Sequence, residues 1–250
     1  MNTRIGEEKL NNQGCMMKII TYRSHKDIDV QFNDEFNTIV TNREYGDFKK
    51  GTIKNPNHVS VCGVGYIGQG NYNYKDNKDS YEAWRGMIRR CYDSQCHIKY
   101  PTYIGCAVCD EWHCFQTFCE WYYNNYYEIP EQRIALDKDI LCKGNKIYSP
   151  DTCCFVPQCI NTLFTKRDRN RGSLPIGVSY HKSTGKYRAS CNDGTGHIIH
   201  LGYYNTQEEA FEAYKQYKEQ TIKDIAEEYK DIIPEVLYIA MINYEVEMED

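Results

Sequence analysis

No stretch of this sequence approaches the roughly 20 consecutive apolar residues that a membrane-spanning helix needs, so we expect no membrane protein. The N-terminal segment, MNTRIGEEKLNNQG, has neither an apolar core nor a small-residue cleavage site, so we expect no signal peptide and a cytoplasmic location. The hydrophobic fraction of 41% is too high for a disordered chain and sufficient for several small cores.

The glycine motif at residues 61–70 lacks the helix that would give it a cofactor-binding role. Gly63-x-Gly65-x-x-Gly68 has the spacing of a dinucleotide-binding fingerprint, which requires a strand before the first glycine and a helix at the last. A polar run of Asn, Gly, Asp and Lys follows instead, and the next helical pattern starts about ten residues later. We therefore predict no bound dinucleotide and interpret residues 61–78 as a polar glycine linker.

The cysteines lack a second Cys-x-x-Cys pair. Thirteen cysteines in a chain without an export signal indicate buried thiols or metal ligands rather than disulfides. A zinc site would use Cys106, Cys109, His113 and Cys114, with further ligands from Cys91, Cys96 and His97. The alternative is a core-facing start of a helix at the same place. We interpret Cys153, Cys154 and Cys159 as buried thiols.

The first 60 residues carry the pattern of short strands. Residues 15–22, 27–32 and 37–42 are rich in β-branched side chains and are separated by polar or glycine turns. This pattern predicts a small antiparallel β-barrel over residues 1–60.

Residues 79–164 read as a helical middle domain. YEAWRGMIRRCYD predicts a helix capped by Asp79 or Ser80, and the aromatic stripe of residues 110–125 predicts a second helix with Asp110 as its N-cap. Two short extended pieces and a helix after Pro157 complete the domain.

Residues 165–250 predict a three-stranded antiparallel sheet packed on a long helix. IGVSYHK, KYRASCND and HIIHLGYY are the strands, with turns at residues 183–185 and 193–194. Thr206 and Glu209 have the spacing of a capping box, and Pro234 favours the start of a final helix. The fold class of the whole chain is therefore α+β.

The C-terminal segment resembles the DNA-binding domain of Apetala-type ethylene-response factors, which also occurs at the C-terminus of many HNH homing endonucleases. The likeness rests on Gly177-Val178, the run KYRA at 186–189, LGYY at 201–204, Thr206, EEA at 208–210 and Ala213-Tyr214. It covers about 60 residues and implies that the sheet binds double-stranded DNA.

Charge supports the same expectation. Residues 165–190 contain seven basic residues and one acid, Asp168. Their local charge is 7 − 1 = +6, in a chain of net charge −5. Such a patch is typical of a surface that binds the phosphate backbone. The predicted DNA-binding residues are Lys166, Arg167, Arg169, Arg171, Lys182, Lys186 and Arg188. The period of two along a strand places Lys186 and Arg188 on one face.

Acidic residues dominate the last 44 residues, where thirteen acids accompany four lysines. We expect the helices there to point their charge away from DNA or, as an alternative, to bind a protein partner; a solvated face is the simplest interpretation.

The segment LDKDILCKGNKIYSPDTCCFVPQCIN resembles the core of HNH-type nucleases. In that family an Asp-His pair precedes a β-turn, a middle Asn orients the His, and a later Asn or His follows on a helix. The His activates water, and its neighbours hold one divalent metal near the scissile phosphate. Asp137 and Asn161 match the outer positions, but Lys138 stands where the family has its histidine, and no histidine lies between His113 and His181. A protonated lysine is a poor general base, so we predict a scaffold without catalysis. A nuclease using Asp137, Asp139, Asn161 and magnesium is the alternative.

Over nearly its whole length the chain is similar to a family of tailed-phage proteins, through RIGEEKLNNQGCMMKIITY, GVGYIG, CDEW and YSPDTCCFVP. The resemblance implies a phage origin and the cytoplasm of a bacterial host, and it leaves the activity open. Three functions remain: a non-catalytic DNA-binding protein, a metal-dependent nuclease, and a protein-interaction module that inhibits a host defence enzyme.

Overall fold

The fold is known from a computed structural model, which describes residues 4–165 and 174–248. The chain divides into two compact units, one ending at Asn124 and the other beginning at Asn125. The finer boundaries expected after residues 60, 78 and 164 stay predictions. Among the described helices, none combines the length and the apolar character needed to cross a bilayer.

The first unit begins with a four-stranded antiparallel sheet in the order β1-β2-β3-β4. Its strands are β1 (Glu8–Leu10), β2 (Met16–Ser24), β3 (Asp27–Phe32) and β4 (Ile39–Arg43). β3 shows why the strands form, because its apolar residues Ile28, Val30 and Phe32 alternate with polar ones and are all buried.

The sheet is open and does not close into a barrel, so the prediction of a β-barrel is wrong. Closure would require β1 to pair with β4, but these strands are the two edges of the sheet. The buried face is instead covered by the short helix α1 (Tyr45–Lys50), whose Tyr45 and Phe48 join Ile53 in the core. A sheet that is already covered on its apolar face gains little from closing on itself.

The rest of the first unit is mainly helical. After α1 come α2 (Lys78–Tyr92), α3 (Ser94–Lys99), the two-residue strand β5 (Ala107–Val108) and α4 (Phe115–Asn125), with 3-10 turns at Pro101–Tyr103 and Asp110–His113. Trp84, Ile88 and Cys91 of α2 are buried, as their helical spacing predicts. The Trp84 Nε1 donates a hydrogen bond to the Trp112 carbonyl at 2.7 Å.

The predicted caps of α2 are wrong. The helix begins at Lys78 with Asn77 at the N-cap, so Asp79 and Ser80 lie in its first turn. Ser80 is fully buried, and its hydroxyl contacts the Asn77 carbonyl at 3.1 Å and the Cys119 thiol at 3.2 Å. Because the Ser80 side chain is buried and already makes these contacts, it cannot rotate outward to cap the helix.

The helix predicted at 110–125 is broken at Cys114, which is extended with φ −83° and ψ 123°. Asp110 therefore starts a 3-10 turn rather than α4. The cause is a bridge to the glycine motif: the Tyr66 N–H donates to the His113 carbonyl at 3.0 Å, and the Phe115 N–H donates to the Tyr66 carbonyl at 2.9 Å. An extended residue is needed at 114 to form this pairing.

The glycine motif itself forms a tight turn, in which the amides of Val61 and Gly65 each donate to the other's carbonyl. Nine residues separate Gly68 from the first residue of α2. Within this described stretch, no helix therefore begins at Gly68, as the polar residues after the motif predicted.

The second unit contains two small sheets and the two C-terminal helices. Its elements are β6 (Ile134–Asp137), β7 (Ile147–Tyr148), β8 (Cys154–Pro157), α5 (Gln158–Leu163), β9 (Val178–His181), β10 (Lys186–Asn192), β11 (Ile198–Tyr204), α6 (Gln207–Tyr229) and α7 (Glu235–Ile242). β6 pairs with β8 in an antiparallel register that places Asp137 opposite Cys154.

Helix α6 is shared by two cores because its 23 residues extend for about 35 Å. Its first turns carry Ala210, Phe211 and Tyr214 into a core with the three-stranded sheet. Its later residues Ile222 and Ala226 pack in a second core, with side chains from β8, α5 and α7. The helix thus supports the sheet from behind.

The capping box predicted at the start of α6 is confirmed. The Glu209 N–H donates to the Thr206 hydroxyl at 3.2 Å, and the Glu209 carboxylate accepts from the Thr206 N–H at 3.4 Å. The final helix α7 follows Pro234, which is its N-cap.

Candidate nucleic-acid interface

The three C-terminal strands form one antiparallel sheet with β10 in the centre, in the order β11-β10-β9. Residues that pair across an antiparallel sheet have side chains on the same face. The register therefore defines an outer face, on the side away from α6. Its residues are Ser179, His181, Lys186, Arg188, Ser190, Asn192, Ile198, His200 and Tyr203.

The opposite, inner face is apolar. Val178 pairs with Ala189, and both are buried together with Cys191 against the first turns of α6. Burial of this face against the helix fixes the register, because a slip of one residue would exchange the two faces. The cations of β10 are consequently directed outward.

Lys186 and Arg188 share the outer face and are exposed, which confirms that part of the prediction. Lys186 pairs with His181 and Arg188 pairs with Ser179. The Arg188 Nε donates to the Ser179 hydroxyl at 3.3 Å, which links the guanidinium to the neighbouring strand β9. The DNA-binding role of these cations stays a prediction.

The other predicted DNA-binding residues have different positions. Lys182 is exposed but lies in the turn between β9 and β10, one residue beyond the end of the strand. Four predicted residues lie outside the described part of the chain: Lys166, Arg167, Arg169 and Arg171.

Sequence reasoning missed a row of rings on the outer face. The ring of Tyr203 lies 5.0 Å from that of His181 and 4.7 Å from that of His200, measured between centroids. The row joins the two edge strands across β10. The signal was present in the strand sequences, but the pairing could not be read from them because a bulge between Ala189 and Ser190 shifts the register of β11.

Asp137, one of the nuclease candidates, closes a turn. One of its carboxylate oxygens accepts hydrogen bonds from the backbone N–H groups of Asp139 and Ile140, both at 2.8 Å. Burial raises the pKa of the Asp137 carboxyl, against these two donors, which lower it.

Lys138, at the position of the missing histidine, is buried, with only 5% of its surface exposed. Its ammonium donates to the Asn145 carbonyl at 2.8 Å and pairs with the Asp139 carboxylate. The Asn145 side chain in turn donates to the Lys138 carbonyl at 2.8 Å. These groups are engaged in holding the loop, and Asn161 lies on α5.

In residues 4–165 and 174–248, no three His, Cys, Asp or Glu side chains form a group suited to a metal ion. The magnesium alternative needs only two carboxylates, Asp137 and Asp139, together with Asn161, so it stays a prediction.

The four predicted zinc ligands, all of them described, do not form such a group. The Cys106 thiol faces the Thr102 carbonyl at 3.9 Å, while the Cys114 thiol faces the Ile67 carbonyl at the same distance. Burial raises the pKa of the Cys109 thiol, which disfavours the thiolate that binds zinc. The auxiliary His97 has its Nε2 3.0 Å from the Arg90 carbonyl, and the auxiliary Cys91 is buried in the core.

All thirteen cysteines are free thiols. Cys153 and Cys154 are buried, as predicted, whereas Cys159 is only half-buried. Its thiol lies 3.3 Å from the Gln132 side-chain oxygen and 3.5 Å from the Tyr229 hydroxyl.

If Asp137 is structural, replacing it with asparagine should be tolerated, whereas Asp137→Ala should cost about 1–3 kcal/mol of stability. Asparagine keeps an oxygen that accepts both N–H bonds, and alanine leaves two donors without an acceptor. Because the folded-state pKa is raised, the stability contributed by protonated Asp137 is lost as pH rises through that pKa. In urea unfolding, the stability of the asparagine variant relative to that of the wild type should therefore increase from acidic to neutral pH. Equal losses for both variants would contradict this role.

The C-terminal module is a three-stranded antiparallel sheet with two cations on its outer face and a helix behind it, and strands are one of the elements that proteins place in a DNA groove. Residues 173–223 match the AP2 domain, a DNA-binding module. This confirms the expected likeness to the Apetala-type domain for that segment. Neither the curated proteins nor the solved structures contain a match to the chain. The phage origin and the HNH likeness stay predictions.

Proposed function

We propose that this chain is a phage-encoded, non-catalytic protein that binds double-stranded DNA through the outer face of β9, β10 and β11. The observation that carries the proposal is the shared, exposed position of Lys186 and Arg188 on the sheet of an AP2 domain. The phage origin and the cytoplasm of a bacterial host belong to the proposal through the sequence resemblance alone.

The geometry suits the major groove. A β-sheet of two or three strands fits the groove's width of about 12 Å, and an arginine held near the centre can pair with a guanine edge through two hydrogen bonds. Ser179 restrains Arg188 from the neighbouring strand. Lys182, in the exposed turn, is placed to follow the sugar-phosphate backbone.

The loop after β6 supports the non-catalytic part of the proposal. The lysine at the histidine position is buried, its ammonium donates to a backbone carbonyl, and an ammonium has no lone pair with which to activate water. Asp139 is paired with that lysine. We therefore place the function in the C-terminal sheet rather than in this loop.

The proposal is tested by fluorescence anisotropy on a randomised 20-base-pair duplex between about 50 and 300 mM KCl. Neutralising phosphates releases counterions, so affinity should fall steeply with salt. Arg188→Ala should weaken binding by about 1–3 kcal/mol, or roughly 5- to 150-fold, and Lys186→Ala should lower the salt slope by about 1. The control Lys223→Ala removes an exposed cation from α6 and should leave both quantities unchanged.

Absence of binding to any duplex at low salt, or an affinity independent of salt, would contradict the proposed DNA binding. The acidic helices α6 and α7 would then make a host-protein interaction the better explanation. Incubation of plasmid DNA with the protein and Mg²⁺ or Mn²⁺ tests the non-catalytic part, and nicking that Asp137→Asn abolishes would overturn it.

A further inference from the structure

Two histidines lie on the same face of the sheet as the two cations. His181 ends β9 and pairs with Lys186, while His200 lies on β11 opposite Ser190. Both imidazole rings contact the ring of Tyr203, which pairs with Arg188. The histidines therefore lie on both sides of the strand that carries the predicted DNA contacts.

The outer face has no carboxylate among its register positions in the described strands. The titratable or charged groups there are Lys186, Arg188 and the phenol of Tyr203, apart from the histidines. The nearest acid along the chain, Asp193, lies in the turn after β10, where its carboxylate is 3.6 Å from His197. Protonation of both histidines would thus raise the positive charge of this face from two to four without an acid to offset it.

The two imidazoles differ in their surroundings. His200 is exposed to solvent. His181 is half-buried, and its Nδ1 lies 3.0 Å from the Thr184 hydroxyl and 3.2 Å from the Ser183 hydroxyl. A hydroxyl group donates to a neutral imidazole nitrogen and accepts from a protonated one, so the turn does not have to rearrange when the ring gains a proton.

We propose that His181 and His200 are DNA-contacting residues that bind phosphate in their protonated form, so that DNA affinity rises as pH falls. This inference rests on the proposed function. Histidine is the side chain that ordinarily changes charge between pH 5 and 8. A polyanion favours the protonated ring, and by linkage DNA binding takes up protons.

The expected change in DNA affinity with pH follows from the number of histidines that take up a proton. If each histidine takes up a fraction of one proton, affinity should increase about 10- to 100-fold between pH 8 and pH 6. Two added cations that neutralise phosphates should also steepen the salt slope by about 1–2 at the lower pH. Lys186 and Arg188 keep their charge over this range and cannot produce either change.

The experiment measures duplex affinity by anisotropy at pH 6, 7 and 8 at constant ionic strength, and the salt slope at pH 6 and 8. The test variants are His181→Gln, His200→Gln and the double variant, since glutamine keeps a polar side chain that cannot be protonated. The matched control is His97→Gln, a histidine on α3 in the first unit. Circular dichroism at each pH verifies that each variant is folded.

We expect the wild type and His97→Gln to bind more tightly at pH 6. The double variant should show the same affinity at all three pH values and the same salt slope at pH 6 and 8. A wild-type affinity that is measurable but independent of pH would overturn the inference and leave the proposed function standing. A full pH response in the folded double variant would do the same. Absence of binding at every pH would overturn the proposed function and the inference together.

Discussion

Gly177→Ala is expected to destabilise the C-terminal sheet by about 3 kcal/mol or more, one of the largest single-site effects in the chain. Gly177 has φ +76°, in the left-handed region that alanine adopts only with strain. A Cβ added there would lie 2.1 Å from Cδ2 and 2.3 Å from Cγ of Tyr214. Neither atom is the free end of a side chain, because Tyr214 is buried in the core with Val178 and Ala189.

The same glycine also takes part in the sheet. Its carbonyl accepts a hydrogen bond from the Ser190 N–H at 3.0 Å, so a shift of its backbone would disturb the central strand. The clash and the lost bond act in the same direction. The sheet that carries the predicted DNA contacts should therefore open first in this variant.

Hydrogen exchange of the β10 amides is the appropriate measurement, since a chain with two compact units need not unfold in one step. The control is Gly185→Ala, which also has a positive φ, of 67°, but whose added Cβ would meet nothing closer than the Tyr180 hydroxyl at 3.9 Å. Its cost should be about 1 kcal/mol, from the backbone alone. Similar losses in the two variants would mean that the contact with Tyr214 relaxes freely.

Local patterns predicted those parts of the fold that local interactions determine. The predicted strand at 27–32 matches β3 because alternation of buried and exposed residues is a property of the strand itself. The capping box of α6 was predictable for the same reason, since Thr206 and Glu209 satisfy each other's backbone within one turn.

The predictions failed where local structure depends on a segment that is distant in the sequence. The extended Cys114 that divides the helix expected at 110–125 depends on Tyr66, which lies almost 50 residues earlier. The open edges of the N-terminal sheet depend on how α1 covers it, and β1, with the sequence EKL, carries no strand signal of its own. Single-segment patterns contain no information about such pairings.

The candidate interface divides in the same way. The period of two was sufficient to place Lys186 and Arg188 on one face. The predicted strand IGVSYHK also included Lys182, which in the structure lies in the turn after β9. The ring row of His181, Tyr203 and His200 needs the register of three strands and a bulge. The proposed proton-dependent contacts could therefore be inferred only from the structure.

Reversing both outer-face cations is the most demanding functional test. Lys186→Glu combined with Arg188→Glu should weaken duplex binding by on the order of 1000-fold or more. Each change removes a predicted contact and adds a charge that repels phosphate, and about 1.4 kcal/mol corresponds to each factor of ten. Folding should persist because both side chains are exposed and the buried residues of β10 are unchanged.

A loss of affinity could also come from the whole-chain charge, which these substitutions shift by 2 × 2 = 4 units from its value of −5. The charge-matched control is Lys54→Glu with Lys223→Glu, two exposed lysines that lie off the outer face. Long-range repulsion is screened beyond about 8–10 Å at physiological salt, so the control should lose less than about tenfold. Equal losses in the two double variants would mean that net charge governs binding, and the sheet would then no longer be the proposed contact surface.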